Sequence, residues 1–180
     1  MELVLAVILL FSSLLVHEAG HWAALRRYHV PVLDFSLGLG PRLFRLGSLS
    51  LRVLPIGASV TPDAEKYQGL TPMKQFWVVL AGPWFSALYG SLLMLLSHSL
   101  EGAQAEGLWM LGAFNWFIAG VNLLPLPPLD GFRACVALLA VRGIELSPRM
   151  WRAANRIGNG LIYAVTGLVV GVALTELLQK

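Results

Sequence analysis

The chain has 180 residues, of which 57% are hydrophobic and 13% are charged, and its mean hydropathy is +0.70. Soluble domains carry about 25% charged residues, so these values exclude a soluble enzyme and a disordered chain. The single cysteine, Cys135, excludes a domain held together by disulfides. We therefore expect an integral membrane protein. The net charge of +3 would suggest a nucleic-acid partner only if the basic residues formed one patch. We expect no nucleic-acid partner.

Four apolar stretches are long enough to cross a bilayer. A signal peptide would open with basic residues and end in a small-residue cleavage site, and the first stretch has neither, so we interpret it as a retained span. The sequence thus predicts an all-α polytopic membrane protein with one membrane-embedded domain over residues 1–180. The spans lie at about residues 3–25, 76–96, 108–126 and 157–178.

The basic residues indicate how these spans are oriented. Seven lie between the first and second spans and five between the third and fourth, and only Lys180 lies elsewhere. The connection at residues 97–107 carries Glu101 and Glu106 and no basic residue. Because basic loops stay on the cytoplasmic side, we expect the N-terminus outside, both basic segments inside and the C-terminus outside.

The connection between the first two spans contains a pattern typical of strands. Apolar and polar residues alternate from Leu49 to Val53, and residues 42–46 could pair with them across Gly47 and Ser48. Unpaired strand edges cannot face lipid, so we expect this β hairpin, at about residues 35–60, at the membrane interface or in a protein cavity. The edge of this hairpin could bind an extended peptide by strand addition. The alternative interpretation is a hairpin that lies on the membrane surface and has no substrate role.

The first span ends with the sequence His17-Glu18-Ala19-Gly20-His21, which has the form H-E-x-x-H. On a helix, residues four apart share a face, so both imidazoles can bind one metal ion. Glu18, offset by about 100°, can take a proton from water at that ion. Ionisable residues are costly within a span, and a bound cation would offset that cost. A polar cluster without metal is the alternative.

Two imidazoles leave a catalytic zinc site one protein ligand short. Asp130 is the strongest candidate for that ligand, because Pro125, Pro127 and Pro128 must end the third span at about the depth of His17. Opened backbone at that depth must line protein or a wet cavity. Alternatively, Asp130 caps a short helix at residues 131–141. Other candidates are weaker: His29, His98, Asp34, Asp63 and Glu65.

At this point the sequence resembles the site-2 proteases, a family of intramembrane zinc metalloproteases. H-E-x-x-H in the first span is followed in the third by N-x-x-P-x-P-x-L-D-G at residues 122–131, in the order found in the family. Residues 35–57 resemble its membrane-associated β segment, and residues 80–83 resemble the start of its second core helix. The resemblance covers about residues 1–140.

The resemblance implies roles for five residues. His17, His21 and Asp130 would bind Zn²⁺, and Glu18 would activate the attacking water. Asn122 would contact the substrate backbone or stabilise the oxyanion, although an amide in a span can also serve helix packing. The substrate would be a transmembrane protein, cleaved within or near the bilayer as in regulated intramembrane proteolysis. The expected location is the cell membrane of a prokaryote, with the active site towards the cytoplasm.

The sequence also departs from the family pattern. Family members often carry Asn at the position of Ser86, which puts a substrate-contacting role there in doubt, and Phe132 stands where a second glycine commonly follows Asp-Gly. The short connection at residues 97–107 predicts a minimal member without an inserted peptide-binding domain. A non-proteolytic membrane protein, either a divalent-metal carrier or a pseudoprotease that binds substrate, is the alternative function.

Overall fold

The computed structural model describes residues 2–178, so Lys180, predicted on the outer side, lies outside the described residues. Helices dominate, and two strands follow the first helix. The elements are α1 Glu2–Arg27, β1 Val32–Leu46, β2 Leu49–Pro62, α2 Ala64–Gln68, α3 Pro72–Ser97, α4 Gly102–Asn122, α5 Asp130–Val141 and α6 Pro148–Leu178.

Helices α1, α3, α4 and α6 lie at the four predicted spans. Within the described residues, α3 is the helix that is both long and apolar enough to cross a membrane. The mostly helical fold with a small sheet is therefore confirmed, and the four-span topology stays a prediction. The predicted connection at residues 97–107 is too long, because α4 begins at Gly102 and only residues 98–101 separate it from α3.

Helix α3 is the centre of the fold and packs against α1, α4 and α5. Small residues allow the close approach of α3 and α4: a β-carbon on Gly90 or on Gly112 would lie 2.7 Å from the other residue's carbonyl oxygen. Asn115 on α4 links to α1, since its Nδ2 donates to Ser13 Oγ over 2.9 Å. These contacts join α4 to both α3 and α1.

The predicted turn at Gly47 and Ser48 is confirmed, with Leu46 opposite Leu49 in the antiparallel pair. Gly47 has φ +61°, which glycine adopts without steric cost. The two strands reach slightly beyond the predicted hairpin of about residues 35–60, and they pair well beyond the predicted contact of residues 42–46 with the strand that starts at Leu49. Register shifts let residues 35–37 pair with 58–60 on one side and with 49–51 on the other.

A hydrophobic cluster holds the sheet against the helices. Leu25 in the last turn of α1 and Val30 in the connection to β1 pack with Val78 on α3, and all three are buried. Val60 of β2 and Tyr67 of α2 pack against this cluster. As a result, β2 lies beside the last turns of α1, where the H-E-x-x-H sequence is found.

The predicted break after the third span is confirmed, because α4 ends at Asn122 and the chain is irregular until α5. A β-carbon on Gly131 would overlap the carbonyl group of Leu123, so the two ends of this segment are in direct contact. The short helix is present, but its N-cap is Leu129 rather than Asp130. The alternative role for Asp130 as the cap is therefore wrong, and its carboxylate is available for other partners.

Candidate metal centre

Three predicted ligands meet at one point in the fold. His17 Nε2 lies 3.0 Å from Asp130 Oδ2, and His21 Nε2 lies 3.1 Å from the same oxygen. The two Nε2 atoms are 3.3 Å apart. One donor atom from each residue falls within 4.8 Å of the others, which is the spacing of a group able to hold a metal ion.

Helix α3 orients both imidazole rings from the side opposite Asp130. Ser86 Oγ lies 3.0 Å from His17 Nδ1, and the carbonyl oxygen of Val78 accepts from His21 Nδ1 over 2.9 Å. Because each Nδ1 atom is engaged with α3, each Nε2 atom is left to face Asp130. Two imidazole nitrogens and one carboxylate oxygen form the donor set of many catalytic zinc sites, so these residues fit zinc.

The site is largely shielded from water. His17 is 6% exposed, and the side chains of His21 and Asp130 are 14% and 13% exposed. Burial would raise the pKa of Asp130, but the hydrogen bonds and the charges of His17 and His21 together hold that pKa below its usual range. A lowered pKa favours the ionised carboxylate, which is the form that binds a metal ion.

The centre opens into a cavity of about 740 Å³. Glu18 of α1 and Val60 of β2 both line this cavity. Asn122 lines the same wall, with its Nδ2 donating to the carbonyl oxygen of Ile118 over 3.0 Å. The cavity thus brings together the H-E-x-x-H residues, one edge of β2 and the irregular segment before α5.

The weaker ligand candidates lie elsewhere. Asp34 is engaged within the sheet by Ser50 and Arg52, and Asp63 caps α2 by accepting from the backbone N–H of Lys66 over 2.9 Å. His98 is the C-cap of α3. None of these three contributes to the cluster of His17, His21 and Asp130.

Two contacts of the site were not predicted from the sequence. The Val78 contact uses a backbone carbonyl, which every residue has, so no sequence signal could reveal it. Ser86 was noted only as a departure from the family pattern, and its contact with His17 depends on how α1 and α3 are aligned.

The model of peptidase family M50 matches residues 5–107, which include H-E-x-x-H and α3. The chain belongs to this family. The resemblance to site-2 proteases is thereby confirmed, and the family is one of membrane-embedded zinc metalloproteases.

Two similar proteins extend the match beyond residue 107. The structure of the site-2 protease from Methanocaldococcus jannaschii superposes with a TM-score of 0.58 and 26% identity, covering 93% of this chain and 67% of that one. Rip3 of Mycobacterium tuberculosis is 28% identical over 176 residues, which is 94% of this chain and 37% of Rip3. Both alignments therefore extend past the segment that carries Asp130.

Other relatives match over shorter stretches. Zinc metalloprotease MJ0392 of Methanocaldococcus jannaschii is 29% identical over 136 residues, or 74% of this chain and 34% of that protein. The matched stretches cover between 22% and 37% of the length of the curated relatives.

Proposed function

We propose that this protein is a zinc-dependent intramembrane endopeptidase that hydrolyses a peptide bond within or near a transmembrane segment of another protein. The observation that carries the proposal is the meeting of His17, His21 and Asp130, which come from two distant parts of the sequence. Membership of family M50 and the names of its zinc metalloprotease relatives support the same reaction. The proposed partners are a transmembrane protein substrate and the lipid bilayer.

In this proposal His17, His21 and Asp130 hold the zinc ion. When bound, zinc supplies Lewis-acid chemistry that makes water acidic enough to act as a nucleophile near neutral pH. Glu18 lines the same cavity and takes the proton from the attacking water. The same carboxyl group then donates that proton to the leaving amine.

Asn122 is proposed to bind the substrate at the reacting carbonyl. It lines the cavity, and its Nδ2 donates to the carbonyl oxygen of Ile118 one turn earlier. A side-chain amide aimed at a developing negative charge stabilises it by hydrogen bonding.

The edge of β2 is proposed to hold the substrate in an extended form. A transmembrane helix has all its amides bonded internally, so it must unwind before its peptide bond can be attacked. Residues 58–62 of β2 line the cavity beside the metal centre. An unwound segment could add to this edge as a further strand, which would bring its backbone close to Glu18.

We further propose that the active site lies towards the cytoplasmic side of the cell membrane and that the N-terminus is outside. The basic segments on either side of α3 and α4 support this orientation. Cysteine-labelling of an introduced residue in the connection at residues 98–101 tests it. Labelling of intact cells is expected there, whereas labelling only after lysis would contradict it.

The decisive experiment is Glu18→Gln in the full chain purified in detergent, with a single-span protein as substrate. We expect zinc to remain bound, as measured by elemental analysis, while cleavage falls by about 10²-fold or more because the base is lost. Glu65→Gln is the matched control, because Glu65 is an exposed residue of α2, and this variant should cleave normally.

Normal turnover by Glu18→Gln would refute the role of Glu18. Wild-type protein that binds zinc without cleaving would favour the metal carrier or pseudoprotease instead.

A further inference from the structure

We propose that Ser86 is a positioning residue that holds His17 in the orientation and tautomer needed to bind zinc. This inference rests on the proposed function, because it assumes that His17 binds the metal. It assigns a task to the position at which the sequence departs from the family pattern.

The contact is short and fully enclosed. Ser86 Oγ lies 3.0 Å from His17 Nδ1, and the two residues are 0% and 6% exposed. Because water is excluded there, it cannot replace the hydroxyl as the partner of Nδ1. Across the described part of the chain, Ser86 is the residue that hydrogen-bonds to this nitrogen.

The chemistry of imidazole fixes the direction of this hydrogen bond when metal is bound. A metal takes the lone pair of a neutral imidazole nitrogen, and the nitrogen that faces Asp130 and His21 is Nε2. The proton must therefore be on Nδ1, where Ser86 Oγ accepts it. With alanine at residue 86, this buried N–H would have no acceptor, so the tautomer that can bind metal would be disfavoured.

The two histidines differ in how α3 holds them. The backbone carbonyl of Val78 holds His21, and a side-chain substitution does not remove that carbonyl. The side chain of Ser86 holds His17, and a single substitution removes it. A substitution at residue 86 can therefore change how α3 holds His17, whereas the contact with His21 does not depend on a side chain of α3.

The experiment compares the full chain with Ser86→Ala and Ser86→Thr in detergent. Zinc affinity is measured by competition with a chromophoric chelator, and thermal unfolding is measured without metal. We expect Ser86→Ala to bind zinc about 10- to 100-fold more weakly. Ser86→Thr keeps the hydroxyl and should bind more tightly than Ser86→Ala. The matched control is Ser97→Ala, since Ser97 is a buried serine of α3 whose hydroxyl donates to the Met94 carbonyl.

The outcomes separate the possible explanations. Equal zinc affinity of Ser86→Ala and wild type would overturn the role of Ser86 and leave the proposed function intact. A fall in metal-free stability with unchanged zinc affinity would also overturn it, because it would show a merely structural role. Wild-type protein that binds no zinc would overturn the proposed function and the role of Ser86 together.

Discussion

The α-carbon of Gly82 lies against the Nε2 atom of His21, so closely that a β-carbon at residue 82 would overlap the imidazole ring. The same β-carbon would lie 2.8 Å from His17 Nε2. The backbone of α3 therefore forms one wall of the metal centre, and space rather than backbone conformation requires glycine there. Helix α3 thus contributes three features to the site: the Ser86 hydroxyl, the Val78 carbonyl and the space that the missing side chain of Gly82 leaves for the two imidazole rings.

Replacing Gly82 with alanine is expected to weaken zinc binding by more than about tenfold, since both ring nitrogens must move away from their positions beside Asp130. Chelator competition on the purified full chain measures the change. Gly107→Ala in α4 is the matched control, because a β-carbon there meets nothing within 4 Å. That control should keep its zinc affinity and gain up to about 1 kcal/mol of stability from helix propensity. Unchanged affinity of Gly82→Ala would contradict the proposed crowding.

Removing the charge of Asp130 is expected to remove the metal. In Asp130→Asn the oxygen that both His17 and His21 contact loses its negative charge, and the amide is a poor zinc ligand. We expect zinc affinity to fall by more than about 100-fold, and cleavage to be lost with it. Asp63→Asn serves as the control, because asparagine caps helices about as well as aspartate. Stoichiometric zinc in Asp130→Asn would show that Asp130 is not a ligand.

The sequence made this centre predictable because its chemistry is carried by side chains at fixed spacing. His17 and His21 are one helical turn apart, and the prolines before Asp130 predict where the third span must end. The contribution of α3 was not predictable in the same way. It depends on which residues of α3 lie opposite His17 and His21, and an amino-acid sequence alone gives no helix-to-helix alignment.

The sheet shows a similar limit of the sequence pattern. Alternation identifies the strand that starts at Leu49, and the Gly47-Ser48 turn follows from it. The pattern stops at Leu54, yet β2 continues to Pro62. Positive φ values at Gly38, Gly40 and Gly57 accompany the register shifts, so the strands bend and their alternation changes along the sheet. Alternation alone therefore marks only the part of β2 next to the turn, although the predicted hairpin at about residues 35–60 came close to the observed ends at Val32 and Pro62.

Asn122 supplies a test that separates substrate binding at the reacting carbonyl from metal binding. We expect Asn122→Ala to lower kcat by about 10²-fold, the typical effect of removing one donor to a developing oxyanion, with unchanged zinc affinity. Steady-state cleavage of a single-span substrate, combined with elemental analysis, measures both quantities. Asn155→Ala in α6 is a suitable control, because its Nδ2 also donates to a backbone carbonyl one turn earlier. If Asn122→Ala cleaves at the wild-type rate, its amide serves only helix packing.

Asp34 offers a way to disturb the sheet without touching the metal centre. Its buried carboxylate accepts a hydrogen bond from Ser50 and faces Arg52 and Arg42 at 3.5 and 3.7 Å. Asp34→Asn would remove the negative charge that faces both partly exposed arginines, at a cost of up to about 1 kcal/mol for each pair. We expect residues 42–53 to become more sensitive to limited proteolysis.

If β2 holds the substrate by strand addition, the looser sheet should raise KM for a single-span substrate while zinc affinity stays at the wild-type value. Glu106→Gln, an exposed residue of α4, is the control for loss of one acidic charge and should leave both quantities unchanged. A loosened sheet with unchanged KM would contradict the substrate role of β2, because strand addition requires an edge held in place. Loss of zinc in Asp34→Asn would instead show that the sheet supports the metal centre itself.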